Sequence, residues 1–262
     1  LSANEIYNAD VEVSLCDAIV SLNFYCTGSI VSDNGLVITN HHCAYADVFA
    51  ISTEEKNYLE DGFWALKADE EVPMKGSQML LLRKVIDVTE EVEQYVESEK
   101  AKGKTAGIRK ISWEFEKRYK SDSPYEAILS SMWSGSKYYI ALYQVYKDIR
   151  LVAAPPVSIA AFGGDIDNWD WPQHKCDFAM YRIYTAPDGS PAEYSEENIP
   201  LVPRKRLRVS TEGARKGSFA MILGYPGSTD RYSGSAKLGL EQNTLRPTQN
   251  ELRAAKMEIM RT

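Results

Sequence analysis

The chain has 262 residues, of which 44% are hydrophobic and 26% charged, enough for one large domain or two ordinary ones with real cores. A net charge of −7 and a pI near 5.2 argue against nucleic acid as a partner, since phosphate recognition wants a basic face. No apolar run reaches the roughly 18 residues of a membrane helix, and no signal peptide stands at Leu1, which fits the mature or trimmed N-terminus of an exported protein.

From Val11 to about Ile51 the text is strand-like and punctuated by turns. Ala18–Phe24 is a candidate strand. Thr27–Val31 and Leu36–Thr39 are rich in β-branched and apolar residues, and Asp33-Asn34-Gly35 supplies the positive-φ turn of a hairpin. That hairpin delivers His41 and His42 at its end, and Cys26 and Cys43 bound it. Their placement brings the Cβ atoms within bridging range, so we expect a Cys26–Cys43 disulfide in an exported protein. Cys16 and Cys176 remain as a candidate second pair or as buried thiols.

Residues 56–73 look like aromatic loop, and Met79–Ile86 like a strand. The period then changes. Val88, Val92, Tyr95 and Val96 share one helical face after an acidic first turn, with Gly103 as the stop. Ile108, Ile111 and Phe115 mark a second helix. Ser123-Pro124-Tyr125-Glu126 combines an N-cap serine, a proline at the first helical position and a capping glutamate, and predicts a third helix ending near Gly135. Strands return at Tyr138–Tyr146 and Ile149–Ala153. The run Arg204, Arg206, Arg208 reads as a solvated edge strand, and Ser218–Gly227 as a buried strand entering a Gly/Pro turn. From Lys237 to Thr262 the pattern is helical. The fold class is therefore mainly β. A first barrel over 1–86 and 137–200 is interrupted by a helical insert at 87–136, a second β unit begins at 201–236, and helix begins at 237–262.

A neutral imidazole beside a tethered cysteine suits a general base, which needs a carboxylate on its other ring nitrogen and a hydroxyl or thiol to activate. Asp177, heading the strand-like Asp177–Tyr184, stands out as the carboxylate, with Asp165, Asp167 and Asp170 as rivals. On an extended backbone His41 and His42 point to opposite faces, so only one enters a site. His174 reads as a structural loop residue. For a metal the spacing is wrong: adjacent strand histidines cannot share an ion, and neither C-x-x-C nor H-E-x-x-H occurs. No G-x-S-x-G occurs either. Ser134, Ser136, Ser228, Ser233 and Ser235 read as cap or turn residues. We therefore expect a longer polypeptide whose nucleophile lies downstream, and an inactive 262-residue segment.

The Cys26 to Cys43 segment resembles the histidine segment of chymotrypsin-like serine proteases, in which the base directly precedes a cysteine. That selects His42. The same enzymes carry their buried aspartate at a strand head, as at Asp177. More narrowly, the chain is similar to the S46 family of dipeptidyl aminopeptidases (the dipeptidyl-peptidase 7/11 type). The shared segments are Cys26–Ser29, Thr39–Tyr45, Asp61–Ala65, Phe162–Pro172 and Leu223–Tyr232. The resemblance implies a chymotrypsin-like double β-barrel with a large helical domain inserted as a cap. It makes His42 the base, Asp177 its orienting acid, and Asn168 with Trp169 the holders of the substrate's free α-amino group. An amide oxygen accepts from an ammonium, and an indole face attracts it. It further implies serine exopeptidase activity on peptides with a free N-terminus, no cofactor or metal, and a periplasmic or cell-surface location in a Gram-negative type bacterium. A homodimer is left open for the full-length form. The sequence departs from the family at Asn23-Phe24-Tyr25, where a glycine-rich lead is usual. It departs again at Gln173–Asp177, where the family has Arg-His-Thr-Gly-Asp. An HtrA-like endopeptidase on the same fold and a non-catalytic binding module are the rival readings.

Overall fold

Alternation of buried and exposed side chains along short segments builds a single antiparallel sheet. The computed structural model describes residues 1–8, 13–121, 123–164, 167, 170–225 and 232–261, and divides into two units, Leu1–Tyr225 and Pro226–Thr262. The first unit opens with helix α1 (Ala3–Ile6) and a 3-10 turn (Leu15–Ala18), then strands β1 (Ile19–Leu22), β2 (Cys26–Ile30) and β3 (Leu36–Thr39). Helices α2 (His41–Ile51) and α3 (Tyr58–Asp61) come next, then β4 (Phe63–Trp64), β5 (Val72–Pro73) and β6 (Met79–Asp87). Helices α4 (Thr89–Ala101) and α5 (Ile108–Ser121) precede β7 (Glu126–Met132), β8 (Lys137–Tyr146) and β9 (Asp148–Ala154). A short α6 (Val157–Ala160), β10 (Ala179–Thr185) and β11 (Ile199–Pro200) complete it. The strands run β4-β9-β10-β3-β2-β1-β6-β8-β7, with β5 on β9 and β11 on β10.

Two apolar clusters fill the unit. The larger joins Val20, Ile30, Val37, Met79, Leu151, Tyr181 and Ile183 of the sheet to Ala44 and Val48 of α2. The smaller sits where β7 and β8 meet α4 and α5, around Val88, Val92, Ile111, Phe115, Leu129 and Ile140. The expected stripe of α4 is therefore real: Val88 and Val92 are buried, and Tyr95 and Val96 pack against them. Gly103 stops the helix region with φ +71. The hairpin turn also forms as expected. Gly35 has φ +70, and a Cβ there would meet the Ile183 carbonyl at 2.8 Å, so close approach as well as backbone freedom calls for glycine.

Four expectations need correction. The third helix, 123–135, is instead the strand β7, paired along its whole length from Glu126↔Tyr143 to Met132↔Lys137. Ala127 and Leu129 are buried while their neighbours are not, which is a period of two. Ser123 does accept from the Tyr125 N–H at 3.1 Å, but as a turn rather than a helix cap. Second, the chain after Asn40 is helix α2 and not extended. Third, neither 204–208 nor the described part of 218–227 forms a strand, and Phe219 and Ile222 are exposed. Fourth, Cys16 and Cys176 are free thiols, whereas Cys26 and Cys43 are disulfide-bonded.

The second unit, taken by itself, is helical as its text suggests. It contains α7 (Ser235–Leu240), a π-helical turn over 241–245, and α8 (Arg246–Arg261), which exposes Leu252, Met257, Ile259 and Met260. Among the described residues no helix is long and apolar enough to cross a membrane.

Candidate active site

Strands β3 and β10 are antiparallel neighbours in the register Thr39↔Ala179. That pairing brings residues 40–42, leaving the end of β3, against residue 177, entering β10. His42 and Asp177 are 135 positions apart in sequence, yet His42 Nδ1 lies 2.7 Å from Asp177 Oδ2. The other carboxylate oxygen, Oδ1, accepts the His42 backbone N–H at 3.0 Å. Asn40 donates from Nδ2 to the Asp177 carbonyl at 3.1 Å and to Oδ2 at 3.3 Å. The His41 backbone N–H also hydrogen-bonds Asp177.

These donors explain why the chain turns helical at His41. The first N–H groups of a helix lack partners within it and carry a partial positive charge. Asn40 occupies the cap position but makes no capping bond with its side chain. Asp177 supplies the cap instead, across the sheet. Burial alone raises the Asp177 carboxyl, but the hydrogen bonds from His42 and His41 and the nearby imidazole outweigh it and hold the group below the usual carboxylate range. Asp177 is an anion that fixes the Nδ1–H tautomer of His42 and leaves Nε2 as the basic nitrogen.

The two histidines do diverge, though for a different reason than an extended backbone. On a helix they sit about 100° apart. His41 is only 3% exposed, with no hydrogen-bond partner at Nε2, and burial pushes its imidazole below the ordinary range against the Asp177 charge and a bond to the Pro155 backbone. The His42 side chain is 70% exposed and faces outward beside the disulfide. Asp167, one rival carboxylate, pairs with His174: its Oδ1 is 3.1 Å from His174 Nδ1 and its Oδ2 accepts the His174 N–H. Asp170 makes no contact with His42 among those described. Asp165, Asn168, Trp169 and Ser228 lie outside the described residues. Ser136 is a turn residue, donating to the Trp133 carbonyl at 2.9 Å.

Trp64 packs at 6.2 Å on Phe178, the residue after Asp177, so an exposed aromatic surface flanks the pair. Among the described residues the cluster of three metal-ligand types is Cys26, His42 and Cys43. The two cysteine sulfurs are bonded to each other and present no thiolate to an ion. Sequence reasoning missed Asn40, whose only signal is a polar residue just before the histidines. It also missed the capping role of Asp177, which local sequence does not carry.

An anionic aspartate on one imidazole nitrogen, with the other nitrogen open, is an arrangement that can serve as the base and orienter of a nucleophilic hydrolase site. The sequence profile of Peptidase S46 matches residues 1–262, and the chain belongs to that family. It is 38% identical to dipeptidyl-peptidase 7 of Phocaeicola vulgatus, over all of this chain and 37% of that protein. It is 39% identical to the Asp/Glu-specific dipeptidyl-peptidase of Porphyromonas gingivalis, over 87% of this chain and 32% of that one. The crystal structure of Porphyromonas endodontalis DPP11 in an alternate conformation superposes with a TM-score of 0.88 at 35% identity, over 99% of this chain and 39% of that one. The same enzyme in complex with the dipeptide Arg-Asp gives 0.76 at 38% identity, over 82% and 32%. The chain thus spans less than two-fifths of the length of these relatives.

Proposed function

We propose that this chain carries the base and the orienting acid of a serine-type dipeptidyl aminopeptidase, the serine belonging to a longer polypeptide. The observation that carries the reading is the 2.7 Å contact between His42 Nδ1 and Asp177 Oδ2, joined to membership of a family whose named relatives are dipeptidyl-peptidases. His42 Nε2 takes the proton of the serine hydroxyl as it attacks the scissile carbonyl, and returns it to the leaving amine. Asp177 stabilises the imidazolium formed in between. Asn168 and Trp169 hold the substrate's α-ammonium group and so set cleavage two residues from its end.

In this reading the sheet of the first unit is one barrel of a trypsin-like pair, the helices from Ser235 onward begin a cap, and the enzyme works in the periplasm or at the cell surface. The test uses the full-length enzyme on a peptide and its N-acetylated counterpart. Stepwise release of dipeptides from the free peptide, abolished by acetylation, supports the exopeptidase. Cleavage of both peptides at internal bonds indicates an HtrA-like endopeptidase. Failure to hydrolyse either one, or to react with a fluorophosphonate probe, indicates a binding module.

A further inference from the structure

The helix carrying His42 and the strand led by Asp177 are tied together a second time, behind the site. Asp47 lies on α2 and Tyr181 on β10. The Tyr181 hydroxyl donates to Asp47 Oδ2 at 2.8 Å. The Ser77 hydroxyl donates to the same carboxylate, at 3.2 Å to Oδ1 and 3.3 Å to Oδ2. Tyr181 is 1% exposed and sits in the main core. The Tyr25 hydroxyl, donating to the Cys43 carbonyl at 3.3 Å, is the other phenol beside this cluster.

We propose that Asp47 and Tyr181 are positioning residues for the His42–Asp177 pair, fixing the rotation of α2 about its own axis. The proposal rests on the reading of His42 as base. Residues 43 and 47 are one helical turn apart and share a face. Cys43 is anchored to β2 by the disulfide and Asp47 to β10 by the phenol. Two anchors on one face, to two different strands, leave the helix little freedom to roll. His42 is turned about 100° from Cys43, so a roll moves its ring sideways past Asp177. At a side-chain radius of about 5–6 Å, a roll of roughly 10° displaces the imidazole by about 1 Å. A misplacement of that size is enough to cost up to about a hundredfold in rate.

The test compares full-length enzymes. Tyr181→Phe removes only the hydroxyl and leaves Asp47 bonded to Ser77. Its expected effect is a fall of about tenfold in kcat with KM within about twofold. The acid limb of kcat/KM should move to lower pH, because a loosened carboxylate supports the imidazolium less. Asp47→Asn keeps an oxygen for the phenol and an amide for Ser77, and is expected to retain activity within about threefold, whereas Asp47→Ala matches or exceeds the loss in Tyr181→Phe. A merely structural bond would lower the melting temperature and leave kcat and the acid limb of the surviving enzyme unchanged. That outcome in Tyr181→Phe overturns the proposal, as does equal loss in Asp47→Asn and Asp47→Ala. His42→Ala separates the two claims. Near-complete loss there beside a normal Tyr181→Phe removes the positioning role alone, whereas normal turnover in His42→Ala removes the base assignment itself.

Discussion

Replacing Asp177 by asparagine tests the site with almost no change of shape. The carboxylate accepts from His42 Nδ1 at 2.7 Å, from the His42 backbone N–H at 3.0 Å and from Asn40 Nδ2 at 3.3 Å, and also from the His41 backbone N–H. An amide has one accepting oxygen. If that oxygen keeps the backbone donors of α2, the NH2 group faces His42 Nδ1, which must then accept. The proton moves to Nε2, and the nitrogen that in the proposed function deprotonates the serine is no longer basic. A tautomer inverted in this way lowers kcat by about 10⁴-fold in triad hydrolases, or about 5 kcal/mol of transition-state stabilisation. The assay is dipeptide release from a chromogenic dipeptidyl substrate by the full-length enzyme, with kcat and KM resolved and circular dichroism confirming the fold. A loss confined to KM, or a kcat within tenfold of wild type, refutes the assignment of Asp177 as the orienting acid.

Further outcomes concern stability. Cys26 and Cys43 close a loop of 17 residues, so Cys26→Ser with Cys43→Ser should cost about 3 kcal/mol, read by denaturant unfolding and reproduced in wild type by a reductant. Phe115 is fully buried and meets Tyr95 edge-on at 5.9 Å. Phe115→Ala should therefore cost about 3–5 kcal/mol with kcat unchanged, and an equal fall in kcat would show that the helical wing is coupled to the site. Hydrogen bonds from Lys110 and Lys102 lower the Glu99 carboxyl to about 2. A carboxylate depressed in the folded state adds stability that is full above its unfolded pKa of about 4.3 and is lost as pH falls through the folded value. Glu99→Gln should therefore flatten the acid side of the stability–pH curve between about 4.5 and 2, and an unchanged acid limb counts against the pairing.

Most of the sheet was legible because its strands alternate or bury almost fully, as at Val37 and Thr39 in β3 and along β9. The helices α4 and α5 were legible by their stripes. The failure at 123–135 is instructive: Ser123, Pro124 and Glu126 are good local helix-start chemistry, yet pairing with all of β8 and burial of Ala127 and Leu129 override it. The failure at α2 has the opposite cause, for its N-terminal cap comes from Asp177, 135 residues away. The disulfide followed from hairpin geometry. The partnership of His42 with Asp177 came from resemblance, because composition left four aspartates open. The Asp47–Tyr181 tie carries no sequence signal at all.

The site pair meets between β3 and β10, whereas α4 and α5 pack over β7 and β8 at the other end of the strand order. The two helices are joined by an exposed link around Gly103. A fluorescent tag, an affinity handle or a small foreign domain spliced at that link should leave turnover intact, because exposed loop tips tolerate insertion. The wing thus offers a place to attach probes to this chain without touching the His42–Asp177 pair.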